Sequence, residues 1–434
     1  MAPQRAHKTL DARHEQSGRR TGQVRARPAW IWLAGLSSIA LVLVFWGLQA
    51  TRHDVASPDA VWARAEQDFK AGRYDEVDKA LERLRRFRKP TPLDWFMRAQ
   101  LAMVRKQPDL ALAGLAQVPD DHHMGSQARL LAGQIELRRD RARLAEEFFH
   151  AALRLDPGLI QAHRELIYIL GMQLRRAELN VEFLALSERT QLTADNVFHW
   201  CLLRNNSWEP GEAIATLGRY VAADPGDRWS RLALADNYRR MGLHAEAVSA
   251  LTVLPQEDPE AIAIRAQTAL DVSDQDRAER LLAAGRIDDP VLARLRGRLA
   301  LSRRDARKAL HHFRIAFAAD PASHEAIFGL VSALAINGEQ EAAVRLRESA
   351  GNLERLNTLI HRAAAPEARR DPDLVRRLAA ACAALHRDAE ARAWYALAIA
   401  GDPLDSESQR ALFRLREPSR AGGSSPAPRL PPAP

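Results

Sequence analysis

Residues 129–157 read RLLAGQIELRRDRARLAEEFFHAALRLDP. Apolar residues recur at three- and four-residue intervals on both sides of a central charged turn, which predicts two successive amphipathic helices. Gly133 and Ala145 are small enough to let these helices cross closely, and Phe149 adds a bulky side chain one turn after Ala145. The Asp-Pro pair at 156–157 ends the second helix, because proline lacks the amide hydrogen that continues the helical ladder.

The same pattern recurs downstream in register. The small residue of the second helix recurs at intervals of 68, 34, 31, 31, 34 and 48 residues. Its positions are Ala145, Ala213, Ala247, Ala278, Ala309, Ala343 and Ala391. The small residues of the first helices are Gly133, Cys201, Ala235, Ala266, Gly297 and Ala379, with the larger Val331 in the same series. Closing prolines stand at Pro157, Pro225, Pro259, Pro290, Pro321 and Pro403. This register predicts a continuous stack of helix pairs.

The arrangement resembles the tetratricopeptide repeat family, whose unit is a helix-turn-helix of about 34 residues. The resemblance covers residues 58–416 and implies an all-α fold, a right-handed α-α superhelix (solenoid) of about ten units. The unit at 160–190 is degenerate, since Leu179 replaces the small residue of its second helix. We expect an extra helix near 352–365, where one interval exceeds 34 by 14 residues, and a terminal capping helix at 406–416 that begins at a Ser cap.

The segment before the repeats has the composition of a membrane anchor. Residues 30–48 (WIWLAGLSSIALVLVFWGL) run for 19 residues without a charge, close to the roughly 20 that a spanning helix needs. We therefore predict one transmembrane helix at 29–49, between a disordered basic segment at 1–28 and a short linker at 50–57. The alternative is a cleaved signal peptide, whose apolar region is normally about 7–15 residues and whose cleavage site fits residues 48–50 poorly.

The charges that flank this segment predict its orientation. Arg19, Arg20, Arg25 and Arg27 precede it, whereas Arg52 stands nearly alone after it. Positive flanks stay in the cytoplasm, so we expect a bacterial single-pass inner (cytoplasmic) membrane protein with a cytoplasmic N-terminus. The repeats then lie on the periplasmic, extracytoplasmic side. The Pro-rich tail at 417–434 has too few apolar residues to pack and is expected to be disordered.

Composition excludes several functional classes. Of the net charge of +8, residues 1–27 carry +5 and the remainder +3, which gives no case for nucleic-acid binding. The only two cysteines, Cys201 and Cys382, lie on apolar faces outside any ligand-spaced cluster, so we expect buried thiols and disfavour a disulfide scaffold or zinc site. The chain has no phosphate-binding glycine loop, nucleophile elbow or HExxH motif. We therefore predict no catalytic, cofactor or metal site and a non-enzymatic protein.

The strongest charge feature is a basic run at 294–314, where eight Lys and Arg residues face Asp305 alone. It is either a solvated helix surface or a site for an acidic partner. In the family, first helices line a concave groove. By that register the groove-facing residues are Phe198, Asn205, Asn206, Trp229, Arg239, Arg240, Arg294 and Arg298. Trp229 fits the groove and the inter-repeat core equally well.

Arg294 and Arg298 resemble half of the basic clamp that some family members use on a terminal carboxylate. The other half is unmatched, because Leu232 and Asp236 stand where a lysine and an asparagine are expected. The resemblance implies a membrane-anchored scaffold or adaptor whose groove binds a peptide or protein segment, an acidic one if the basic run takes part. The alternatives are an accessory subunit of an envelope enzyme or of a secretion or cofactor-maturation complex, and a self-assembling structural protein. The sequence leaves the oligomeric state open.

Overall fold

The computed structural model describes residues 57–204, 206–321 and 323–416, and there the chain forms 21 α-helices and one 3-10 helix. The all-α prediction is confirmed for these residues. Among them, no helix combines the length and the apolar character needed to cross a membrane. Four predicted features lie outside the described residues: the basic segment at 1–28, the transmembrane helix at 29–49, the linker up to residue 56 and the tail at 417–434.

The chain divides into two compact units, of which the first extends to Lys89. Its described part is one helix pair, α1 (Pro58–Lys70) and α2 (Tyr74–Phe87). The Ser57 side chain caps α1 by accepting a hydrogen bond from the Ala60 amide at 3.2 Å. The turn between the helices passes through Gly72, whose φ of +72° is a backbone conformation that glycine adopts without strain.

The second unit begins at Pro90. Its helices are α3 (Pro92–Val104), α4 (Pro108–Leu115), α5 (Gly125–Arg138), α6 (Ala142–Leu155), α7 (Ile160–Met172), α8 (Arg176–Arg189), α9 (Ala194–Leu203), α10 (Pro210–Ala223), α11 (Arg228–Arg240), α12 (His244–Ala250), α13 (Pro259–Asp271), α14 (Gln275–Ala284), α15 (Pro290–Ser302), α16 (Ala306–Ala319), α17 (His324–Ile336), α18 (Gln340–Arg362), α19 (Pro372–Ala384), α20 (Asp388–Gly401) and α21 (Ser406–Arg416). The 3-10 helix, Pro366–Arg370, lies between α18 and α19. Most consecutive helices pack as pairs.

The small residues predicted at the helix crossings are buried there. All seven alanines of the second-helix series are at most 2% exposed. A Cβ at Gly133 would come within 2.5 Å of Phe149 Cε1, so the glycine is what lets α5 approach α6. Phe313 of α16 is held in the same way, since a Cβ at Gly297 would lie 2.9 Å and one at Gly329 2.2 Å from its ring. The predicted register is confirmed at these crossings.

Two of the predicted closing prolines begin helices instead. Pro259 is the first residue of α13 and Pro290 the first residue of α15. The aspartate before each proline caps the helix: Asp258 accepts from the Ala261 amide and Asp289 from the Leu292 amide. Proline suits the first turn because its missing amide hydrogen has no partner there.

The lengthened interval near 352–365 contains no separate helix. Residues 340–362 form α18 as one helix of 23 residues. Its buried residues keep a three- to four-residue spacing without a proline break, so one apolar face runs through the whole segment. They are Ala343, Leu346, Ala350, Leu353, Leu356, Leu359 and Ile360. The chain then turns through the 3-10 helix into α19.

The final helix coincides with the predicted capping helix at 406–416, but Asp405 caps it in place of Ser406. Asp405 accepts hydrogen bonds from the Ser408 amide at 3.0 Å and from the Ser408 hydroxyl at 2.7 Å. The helix packs on α20.

The fifth predicted pair, α9 with α10, does not form. Helix α10 pairs with α11, whereas α9 packs against α20, α18, the 3-10 helix and α8. The side chains of α9 explain this, since Val197, Phe198, Trp200, Cys201 and Leu203 are all buried. A helix with apolar residues all round needs neighbours on more than one side. The last repeat supplies them, and the second unit thereby closes on itself instead of continuing as an open stack.

Ion pairs border this α9–α20 interface. Arg204 Nη1 donates to both carboxylate oxygens of Glu390, at 2.8 and 3.1 Å. Arg369 donates to Asp195 at 2.6 Å, and its guanidinium carbon lies 3.8 Å from the centre of the Phe198 ring. The two ion pairs join residues 174 and 186 positions apart in sequence.

We predict that Ala309→Leu destabilises the protein, because the larger side chain overpacks the α15–α16 crossing, at a cost of about 1–3 kcal/mol. Urea unfolding followed by circular dichroism measures the free energy of unfolding. The matched control is Ala318→Leu on the same helix, where the side chain is exposed. Equal stability of the two variants would contradict the register.

We predict that Glu390→Ala weakens the α9–α20 interface. The Glu390 side chain is 2% exposed, and its removal leaves Arg204 beside Arg387 without this carboxylate. The cost is roughly 3 kcal/mol, at the lower end for a broken buried pair because Arg204 is partly exposed. Amide hydrogen exchange should accelerate in α9 and α20. Glu341→Ala, at a side chain that is 94% exposed, is the control. Unchanged exchange in the Glu390 variant would refute this account of the interface.

Candidate binding surface

The predicted groove residues fall into two groups in the structure. Arg239 and Arg240 lie in the last turn of α11, and Arg294 and Arg298 lie on α15. Phe198 and Trp229 take part in packing, as described below. Asn206 follows α9, where its amide hydrogen bonds to the Leu202 carbonyl at 2.8 Å. Asn205 lies outside the described residues.

Asp271, the last residue of α13, connects α11 to α15. It accepts a hydrogen bond from Arg239 Nη1 at 2.6 Å and one from Arg298 Nη2 at 3.4 Å. Arg239 also donates to Asp236 at 2.9 Å. Burial alone would lower the pKa of Arg239, but the Asp236 and Asp271 carboxylates outweigh it and raise that pKa. Arg239 is therefore neutralised within the chain.

Arg294 has an ion pair with Glu325 at the start of α17. Burial, together with the positive charge of Arg176, lowers the pKa of Arg294 to about 10, while Asp236 opposes the shift. Arg294 is still protonated at neutral pH. Among the described residues, Glu325 is the only carboxylate that forms an ion pair with Arg294, so the surroundings of Arg294 favour additional negative charge.

Arg176, the first residue of α8, is the functional candidate that the sequence analysis missed. Its side chain makes no hydrogen bond or ion pair within 4 Å among the described residues, and the residue is exposed. Burial lowers its pKa; the charge of Arg240 acts in the same direction, while Asp236 opposes it. Arg176 belongs to the degenerate fourth repeat, so the groove register does not select it. Arg176 and Arg294 are far apart in sequence, and only the folded chain brings their charges close enough to interact.

Arg176, Arg240 and Arg294 form what we call the arginine triad. They come from α8, α11 and α15. The charge of Arg176 interacts with that of Arg240 and with that of Arg294. Arg240 donates a hydrogen bond to the Ser207 hydroxyl and has no carboxylate partner among the described residues. Glu325 is thus the one carboxylate ion-paired with the triad in this part of the chain. Three guanidinium groups with one paired carboxylate can accept a further anion.

The rest of the basic run at 294–314 is largely occupied by the chain itself. Arg296 donates to the Leu282 carbonyl at 2.6 Å, Arg303 pairs with Glu279 at 2.6 Å and Arg314 pairs with Glu339 at 2.9 Å. A shallow cavity of about 320 Å³ between α14, α15 and α16 is lined by both acidic and basic side chains. The run is therefore no continuous free positive surface.

The two aromatic candidates serve the packing of the chain. Trp229 is half-buried between two cations, with the guanidinium carbon of Arg228 4.4 Å and that of Arg175 5.0 Å from its ring. This arrangement matches the inter-repeat interpretation of Trp229. Phe198 is 4% exposed and lies under Arg369. Neither ring presents a free face for a partner.

Among the described residues, no group of three or more His, Cys, Asp or Glu side chains is arranged to hold a metal ion. The chemistry that these residues gather is that of several guanidinium groups from separate helices. Such groups recognise planar anions, carboxylates above all, through paired hydrogen bonds.

No protein-family model matches the sequence, and no curated protein matches it either. Among solved structures, the chain is similar to the APC/C hetero-tetramer Cut9–Hcn1, with 14% identity, 90% of this chain and 82% of that chain covered, and a TM-score of 0.34. It is similar to a tetratricopeptide repeat protein from Parabacteroides merdae, with 13% identity, coverages of 56% and 98%, and a TM-score of 0.29. It also resembles PilW, a type IV pilus biogenesis factor, with 17% identity, coverages of 47% and 98%, and a TM-score of 0.25. At such low scores these likenesses carry no argument about function.

Proposed function

We propose that the protein is a membrane-anchored, non-enzymatic adaptor whose helix pairs resemble tetratricopeptide repeats, and that the arginine triad binds an acidic segment of a protein partner. The observation that carries this proposal is the convergence of Arg176, Arg240 and Arg294 from three helices. The guanidinium group of Arg176 has no ion pair or hydrogen bond among the described residues. Arginine is a favoured residue type at binding hot spots, since its planar guanidinium group can donate two parallel hydrogen bonds to one carboxylate.

The surroundings of the triad determine how strongly it binds. Exposed ion pairs contribute about 0–1 kcal/mol, because water screens them and the two side chains lose conformational freedom when they pair. Burial lowers the pKa of Arg294, whose side chain is 32% exposed, so protein atoms have replaced part of its hydration. A carboxylate that binds there gains charge-assisted hydrogen bonds to the partly buried Arg294 and to the exposed Arg176 and Arg240. An acidic segment therefore suits this surface better than a neutral one.

The proposed location is the inner membrane, with the N-terminus in the cytoplasm and the repeats outside it. The uncharged run at 30–48 and the arginines before it support this orientation. The partner would then be a protein of the cell envelope.

We predict that Arg176→Ala combined with Arg240→Ala weakens binding of a fluorescein-labelled hexaglutamate peptide by about tenfold or more, because two of the three guanidinium groups that pair with its carboxylates are removed. Fluorescence anisotropy at fixed salt measures the dissociation constant. The control combines Arg280→Ala with Arg307→Ala, which removes two exposed arginines on the second helices α14 and α16. If both double variants bind as the parent does, or lose affinity equally, the triad is not the site.

We predict that alkaline phosphatase fused after residue 60 is active, and that β-galactosidase fused at the same position is not, because the first enzyme works only outside the cytoplasm. The full chain should also resist extraction from membranes by carbonate. Release of a soluble form that begins near Thr51 would show cleavage and overturn the anchor.

A further inference from the structure

The two cysteines of the chain meet where α9 packs against the last helix pair, α19 and α20. Cys201 lies on α9 and Cys382 on α19, 181 residues apart, and their Sγ atoms are 3.8 Å from each other. Both residues are 0% exposed. The Trp394 indole Nε1 lies 3.4 Å from Cys201 Sγ and covers the pair from α20.

We propose that Cys201 and Cys382 form an intramolecular disulfide that fastens the last repeat to α9. The inference rests on the proposed extracytoplasmic location of the repeats, because disulfides persist in oxidising compartments. Two S–H bonds break and one S–S bond forms. The two electrons reduce the disulfide of an oxidoreductase, which leaves as a dithiol, and the two protons pass to solvent or to that enzyme.

The position of the pair favours a disulfide over two idle thiols. The Sγ atoms already touch, so side-chain rotation with a small approach of the two helices brings them to bonding distance. Among the described residues no further His, Cys, Asp or Glu completes a metal site with them. A crosslink over 181 residues also restricts the unfolded chain far more than a short loop does.

Because both thiols are buried in the folded protein, their burial limits the stage of folding at which they can be oxidised. The hydrogen bond with Cys201 raises the pKa of the Cys382 thiol, and burial raises it further. The thiolate is the reactive form, so the closed pair reacts slowly. Oxidation therefore takes place during folding, before α19 and α20 have covered α9. Once formed, the bond is shielded from reductants.

The experiment counts free thiols in the full chain with its own N-terminal segment, isolated from membranes without reductant. The protein is precipitated with acid to stop thiol exchange, redissolved in denaturant at mildly alkaline pH with iodoacetamide, and weighed by mass spectrometry. We expect no alkyl group before reduction and two after it, and one alkyl group before reduction in Cys201→Ala or Cys382→Ala. Parent protein that has been unfolded, reduced and refolded in reductant should melt on the order of 5 °C below the oxidised parent. The melting temperature should be independent of reductant in the double alanine variant.

Two alkyl groups in the unreduced parent overturn the proposal. Refolding of the reduced chain in a glutathione redox buffer then separates the causes. If the disulfide forms in the buffer, the pairing is correct and the proposed location of the repeats fails. If it does not form there, the contact between Cys201 and Cys382 itself fails. The peptide-binding test of the arginine triad is independent of both outcomes.

Discussion

The packing of α9 against the last repeat is the constraint on which the rest of the second unit depends. Helix α9 is apolar on all sides, and the Trp200 ring stacks on Phe183 at a centroid distance of 5.4 Å. Trp394 of α20 fills the opposite side of the same hydrophobic cluster. An interface of large aromatic side chains removes much apolar surface from water, at roughly 25 cal/mol for each Å². The ion pair of Arg204 with Glu390 then adds geometric specificity more than stability, since burying charges costs much of what their attraction returns.

Because α9 packs against α20, the geometry of every repeat between these two helices is constrained. The helix pairs in this region must lead the chain back to its own middle, so their spacing and packing are coupled. The units with a spacing of 31 residues are shortened in their second helices, α12 with 7 residues and α14 with 10, and the next helix of each begins at a proline, Pro259 or Pro290. The long helix α18 has the opposite effect and carries the chain farther before α19 begins. Both departures from the 34-residue period occur in this closing part of the chain.

Local features of the fold could be predicted from the sequence, and long-range features could not. Ala309 and Gly133 are recognisable because a helix crossing needs a small residue at a fixed spacing from a bulky one, and that information is local. The apolar residues at 197–203 also allow the burial of α9 on all sides to be predicted, but they do not indicate which helix packs against it. Arg176 became a candidate, and Cys201 a neighbour of Cys382, only through contacts over more than 100 residues. No periodic pattern encodes such contacts, since they depend on the summed geometry of all intervening repeats.

If the arginine triad binds an anion as proposed, this binding is energetically coupled to the packing of α9 against α20. Arg176 lies on α8, directly before α9, whereas Arg294 lies within the returning part of the chain. Opening the α9–α20 interface frees these segments to move apart, and the mutual repulsion of the two guanidinium groups favours that movement. A bound carboxylate cancels the repulsion and so stabilises the closed state by the differential affinity of the anion for closed over open. By the same reciprocity, whatever strengthens closure, the proposed disulfide included, pre-organises the arginine triad and lowers the entropy lost when a partner binds.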